Sequence, residues 1–195
     1  MSKGLITVIV FGVLVLFGGV WACNKRNNFI GLRENAKAQW QQVESQYQRR
    51  ADLIPNIVST VKGEAEFERG TLEAVVSARA RATQVTINPD NLDENSIQKY
   101  KAVQGELSSA LSRLLAVSEN YPNLRTNQAF SDLRVTLEGT ENRIAVERMK
   151  YNDLSREFNK SIQMFPGNLL AGGFAPMPYF EAEAGAEKVP EVRFD

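Results

Sequence analysis

Nineteen consecutive residues, 4–22 (GLITVIVFGVLVLFGGVWA), carry no charge. As an α-helix they span roughly 28 Å, about one hydrocarbon core, and a helix lets a lone segment satisfy its own backbone in lipid. Trp21 closes the run where an indole suits the interface, and Lys25 and Arg26 follow at once. The run reads as an uncleaved single-pass anchor, making residues 1–23 a transmembrane segment. A cleaved signal peptide fits less well. It usually has a shorter apolar region and a basic start, and Lys3 is the only basic side chain ahead of this one. Val20-Trp21-Ala22-Cys23 loosely resembles a lipobox, with the alanine right and the tryptophan a poor fit. Cys23 is thus the lipidation candidate of an alternative reading, a lipidated periplasmic lipoprotein. Lys25, Arg26 and Arg33 outnumber Lys3 plus the amino terminus, so the positive-inside rule leans by a small margin towards a cytoplasmic body behind the inner membrane.

Beyond the anchor the apolar period is about 3.5 residues, the signature of helices rather than strands. Ala36, Trp40, Val43, Tyr47 and Ile54 form one stripe; Val58, Val61, Ala65, Leu72, Val75 and Arg79 form a second. The stretch VTINPDNLDENS (85–96) breaks the pattern with Pro, Asn and Asp, and Asp93 or Asn95 is placed to cap the next helix. That helix carries Ile97, Tyr100, Leu107, Leu111, Leu114 and Ser118. After a loop at 119–127, a last stripe runs through Phe130, Leu133, Leu137, Thr140, Ile144, Tyr151, Leu154, Phe158, Ile162 and Phe165. Glu147 and Arg148 stand in its one seven-residue gap, and Pro166-Gly167 ends it.

Pro55 is the ambiguous join, because a proline inside a helix removes a backbone donor and clashes with the preceding turn. If it only kinks, one helix runs from the membrane to about Thr83. If it reverses the chain, four helices of similar length close into a bundle, and segment lengths favour that form. The expectation is all-α: a single transmembrane helix, an antiparallel up-and-down four-helix bundle over 24–166, and an irregular acidic tail over 167–195. In the tail Leu169, Leu170, Phe174, Met177, Tyr179 and Phe180 cluster. Covering a groove of the bundle is the favoured role for them, ahead of docking to a membrane or a partner.

Composition narrows the function. The chain has no histidine and one cysteine, which excludes His-based triads, intrachain disulfides and thiolate clusters. Lys+Arg and Asp+Glu are both 23, so no basic face invites nucleic acid. Residues 23–84 hold 10 basic and 7 acidic side chains, and residues 166–195 hold 2 basic and 5 acidic, so the membrane-proximal part is mildly basic and the tail acidic. No phosphate-cradling loop, nucleophile elbow or dinucleotide fingerprint occurs, and no cofactor or small-molecule substrate is expected. Glu64, Glu66 and Glu68 read as a solvated helix face. Glu138 and Glu141 lack the histidine of a di-iron motif and read as ion-pairing partners, as does Glu147 with Lys150.

The polar set of most interest is Arg49, Arg50 and Asp52 beside Pro55 and Asn56, joined by Asn142 and Arg143 near a loop. A patch for anionic lipid or a protein partner is one reading. The favoured one is a clasp, paired with acids on a neighbouring helix, that holds the turn together.

The runs RRADLIPN (49–56), ENYPNL (119–124) and GTENRIA (139–145), together with FNKSIQMFPGNLLAG (158–172) and the N-terminal span, resemble the LemA family of bacterial membrane proteins in order along the whole chain. The resemblance implies a helical bundle behind one membrane span and a bacterial origin, and it does not imply an enzyme. The family is associated with envelope functions and membrane protein quality control, and the leading expectation for this chain is a non-enzymatic scaffold or adaptor of the cell envelope, with an accessory factor of quality control as the alternative, working through protein partners or self-association. One departure is Phe67, where the family often has a histidine.

Overall fold

The computed structural model describes residues 3–63 and 67–180. The expectations for Glu64, Ala65, Glu66 and the acidic tail beyond Phe180 lie outside the described residues. The first helix, α1, is a single 60-residue element, Lys3–Lys62, about 90 Å long. Its first six turns expose nearly every side chain. From Phe29 onward the same helix buries Ala36, Trp40, Val43, Tyr47, Ile54, Ile57, Val58 and Val61. One helix therefore serves two solvents: a uniformly apolar surface suits lipid, and an apolar stripe suits a protein core.

Four further helices follow: α2 (Arg69–Gln84), α3 (Glu94–Ser118), the short α4 (Pro122–Thr126) and α5 (Gln128–Gln163). Their starts have local causes. The Asp93 carboxylate accepts the Ser96 amide at 2.6 Å, and the Asn127 side chain accepts the Phe130 amide at 3.1 Å. Pro122 opens α4, where a missing amide hydrogen costs nothing. Cross-helix pairs run in opposite senses. Gln39 meets Glu147 and Arg50 meets Glu141 across α1 and α5; Gln104 meets Ala82 and Arg113 meets Glu68 across α3 and α2.

The interior consists of two apolar clusters. The membrane-distal one holds Ile54, Val61, Leu72, Val75, Leu107, Leu114 and Leu137. The membrane-proximal one is aromatic, with Phe29, Trp40, Tyr47, Tyr100, Tyr151, Phe158 and Phe180. The periodicity anticipated these stripes closely. Its clearest failure is Phe165, the last position of the α5 stripe, which is 77 % exposed because α5 ends at Gln163.

Pro55 does not reverse the chain, contrary to the favoured expectation: α1 continues through it to Lys62, and α2 begins at Arg69. The physical reason lies in the carbonyl that proline leaves unpaired. With no amide hydrogen at 55, the i−4 acceptor, Ala51 O, has no intrahelical partner. Arg79 of α2 supplies one, its Nε donating to Ala51 O at 2.8 Å. Pro55 itself is exposed, so its ring meets no neighbouring helix. Pro55→Ala is therefore expected to keep the fold and raise stability by up to about 3 kcal/mol. Arg79→Ala should cost about 1–3 kcal/mol in the parent chain and clearly less in the Pro55→Ala chain. Urea unfolding of the double-mutant cycle checks this, and equal costs in both backgrounds would contradict it.

Candidate functional site

Where the two cores meet, α1 places Arg50 in the interior, with 1 % of its surface exposed. The Nη1 atom donates to Ser108 Oγ at 2.6 Å and to Glu141 Oε1 at 2.7 Å; Nη2 donates to the Gln104 carbonyl at 3.1 Å and to Gln104 Oε1 at 2.7 Å. Gln104 is itself held by a bond from Nε2 to Ala82 O at 3.4 Å. The guanidinium also lies 5.0 Å from the Tyr47 ring centroid. Arg50 thus touches α3 and α5 directly and α2 through Gln104, so one side chain ties all four long helices at mid-height. The Glu141 side chain is 42 % exposed, so the ion pair has one dry end and one wet end.

A small cavity of about 170 Å³ borders this cluster, lined in part by Tyr47, Lys101, Gln104, Glu141 and Arg148. Burial raises the phenol pKa values of Tyr47 and Tyr100 and pushes that of Tyr151 up to about 12, so all three stay neutral at ordinary pH. Glu44, also raised by burial, accepts the Ile87 amide at 3.3 Å. Among the described residues no three His, Cys, Asp or Glu side chains stand together as a metal-binding group. The terminal nitrogens of Arg50 are committed to protein oxygens, so what the arrangement does is hold helices together.

The other residues singled out in the sequence stay outside. Arg49, Asp52, Pro55, Asn56, Asn142 and Arg143 are all exposed. Asp52 accepts from Gln48 of its own helix at 2.8 Å, and the Asn56 carbonyl accepts the hydroxyls of Ser59 and Thr60 at 2.9 Å each. The clasp therefore reduces to Arg50 and its partners. Cys23 is exposed on α1 at the end of the apolar run. Glu138 pairs with Arg134 at 3.7 Å and Glu147 with Lys150 at 2.8 Å. Glu147 also accepts from Gln39 of α1, which explains the polar step in the α5 stripe.

Sequence reasoning missed the device that seats the tail. Asn159 donates from Nδ2 to Met177 O at 2.8 Å and accepts the Met177 amide at 2.7 Å; Asn152 does the same with Phe180 at 2.9 and 2.7 Å. Seven helical residues rise about 10.5 Å and three extended ones cover about 10 Å, so the two asparagines match the tail's register and hold it antiparallel to α5. Tyr151 adds a bond from its hydroxyl to Pro178 O at 2.9 Å. Met177 and Phe180 are thereby buried, and Arg148 stacks over the Phe180 ring at 4.1 Å. Met177 and Phe180 thus take the groove-covering role favoured for the tail, whereas Leu169 and Tyr179 of the same cluster are exposed. Gly173, at φ 88°, makes the bend that begins it. Replacing both asparagines with alanine is expected to cost about 2–4 kcal/mol and to strip hydrogen-exchange protection from the Met177 and Phe180 amides. Unchanged protection at those amides would contradict the clamp.

Comparison with known proteins identifies a family. The LemA family model matches residues 39–194. Magnetosome proteins MamQ 2 and MamQ 1 of Paramagnetospirillum magneticum are each 26 % identical over 180 residues, covering 83 % of this chain and 66 % of theirs. Magnetosome protein MamQ of Magnetospirillum gryphiswaldense is 26 % identical over 179 residues, covering 82 % of this chain and 66 % of its own. The chain thus spans just under two thirds of the length of these relatives. The matched region contains most of the bundle, Arg50 and the clamped tail, and on that evidence the chain belongs to the LemA family.

Proposed function

We propose that this protein is a membrane-anchored, non-enzymatic scaffold of the bacterial cell envelope that works through protein contacts. The observation that carries this reading is the unbroken α1, which leaves the apolar segment and becomes a core helix without a linker. A bundle carried on such a helix is held at a set height above the bilayer, which suits presenting a surface. The interior polar groups support the reading as well: Arg50, Gln104, Asn152 and Asn159 bond to other parts of the protein. In this reading the anchor lies in the inner membrane, with the body on the cytoplasmic side, as the basic residues Lys25, Arg26 and Arg33 favour. The exposed polar side chains of Arg49, Asn56, Asn142 and Arg143 are available to partners, a second copy of the chain included.

Proximity labelling in native membranes, with the label on the bundle, tests side and partners together. The reading expects a reproducible protein set enriched from the cytoplasmic face, or self-labelling that grows with expression. A chain that labels only bulk membrane proteins and stays monomeric in detergent at every concentration would overturn it.

A further inference from the structure

Among the described residues outside the apolar span, the most exposed large hydrophobic side chains are Phe165 at 77 % and Leu169 at 72 %. Those values equal the ones in the span itself, where Phe17 is 73 % and Leu16 is 70 % exposed. Both residues sit in the corner that follows α5, together with Met164, which is 55 % exposed. Elsewhere on the bundle the exposed apolar residues are less open to solvent, with Val76 at 49 % and Val135 at 61 %.

The position of this corner along α1 is fixed. Gly167 is buried against α1 so closely that a Cβ there would stand 3.2 Å from the Phe29 ring and 3.4 Å from Lys25 Cε. Arg26 donates from Nη1 to Gly172 O at 3.4 Å, and its guanidinium lies 5.3 Å from the Phe174 ring centroid. Lys25 and Phe29 stand three and seven residues beyond Ala22, roughly 5–10 Å along the helix axis. The polar layer of a bilayer is about 5–8 Å thick on each side of its hydrocarbon. The corner is therefore level with the headgroups of the leaflet that α1 leaves.

The charged side chains that meet it, Lys25 and Arg26, are both basic. Residues 24–33 and 158–172 contribute Lys25, Arg26, Arg33 and Lys160 and no acid. An apolar tip beside cations is the composition of an interfacial anchor, with apolar side chains at the acyl boundary and basic ones among anionic headgroups.

We propose that residues 164–170 form a second membrane contact, in which Phe165 and Leu169 enter the interfacial zone beside the span. One helix alone leaves a bundle free to swing about its exit point. A second contact beside the span, on the α5 side of the α1–α5 pair, sets its tilt and rotation, so one chosen face of the bundle always looks away from the lipid.

The test uses the full chain in nanodiscs of phosphatidylcholine and phosphatidylglycerol in equal parts, some lipids carrying a nitroxide near the headgroup. An environment-sensitive fluorophore is attached at Phe165→Cys, Leu169→Cys or, for comparison, Val135→Cys, each in a Cys23→Ser background. These positions are exposed, so the substitutions leave the core intact. Blue-shifted emission and severalfold stronger nitroxide quenching at 165 and 169 than at 135 would support the contact. Emission and quenching equal to those at 135 would overturn it. A blue shift without lipid quenching, or cross-linking of these positions to a protein, would also overturn it, since the corner would then be covered by protein.

Discussion

Arg50→Ala is expected to destabilise the bundle by about 3–5 kcal/mol, the range for removing one partner of a buried ion pair. The loss has two parts. The side chain is 1 % exposed, so truncation opens a cavity between the two cores. It also strands Gln104 Oε1 in the interior, where an unsatisfied acceptor is costly. Glu141→Gln should cost less, because the Glu141 side chain is 42 % exposed and an amide oxygen still accepts from Nη1. Arg50→Lys should rescue little, since a single ammonium cannot reach Ser108, Glu141 and both Gln104 oxygens as the fork does. Denaturant unfolding of the three variants gives the order. A mild Arg50→Ala together with a severe Glu141→Gln would mean that the carboxylate, and not the guanidinium, is the anchor.

Trp40→Ala is the second large effect, at about 3–5 kcal/mol. The indole is fully buried, with ring centroids at 5.5 Å to Tyr100, 5.3 Å to Tyr151 and 6.1 Å to Phe180. Those partners come from α3, α5 and the tail, so deleting the ring loosens three elements at once. Trp40→Phe keeps most of the edge-to-face contacts and should lose markedly less. Because Phe180 rests on this ring, Trp40→Ala is also expected to weaken exchange protection at the tail while sparing the distal cluster around Leu107 and Leu114. Uniform loss of protection across both clusters would show that they do not behave as separate packing units.

The helical class and the stripes were legible from spacing alone, because a buried face repeats with the helix; of the two caps considered for α3 the structure uses Asp93, and the Asn127 cap of α5 was not read. Pro55 was misread for a physical reason. Periodicity shows that a proline interrupts a helix, but the carbonyl it orphans can be satisfied by a residue far along the chain, here Arg79. The clasp was half legible. Arg49 and Arg50 are indistinguishable in composition, yet one residue of helical phase, about 100°, puts Arg50 on the stripe with Tyr47 and Ile54 and leaves Arg49 outside. Spacing from Tyr47 could have made that choice. Asn152 and Asn159 left no signal, because their partners are backbone groups of a tail without periodicity. Phe165 fitted the α5 stripe and yet is exposed, since the helix stops before its turn reaches the core.

The account rests on α1 being one unbroken rod from the bilayer to the far end of the bundle. Spin labels at Asn24→Cys and Lys62→Cys, both exposed on α1, measure this in a Cys23→Ser chain reconstituted into nanodiscs. Pulsed electron-spin distance measurement is expected to give one narrow peak at about 57 Å, the rise of 38 helical residues. A peak near about 36 Å, which a reversal at Pro55 would produce, or a broad distribution, which a hinge between membrane and body would produce, would contradict it.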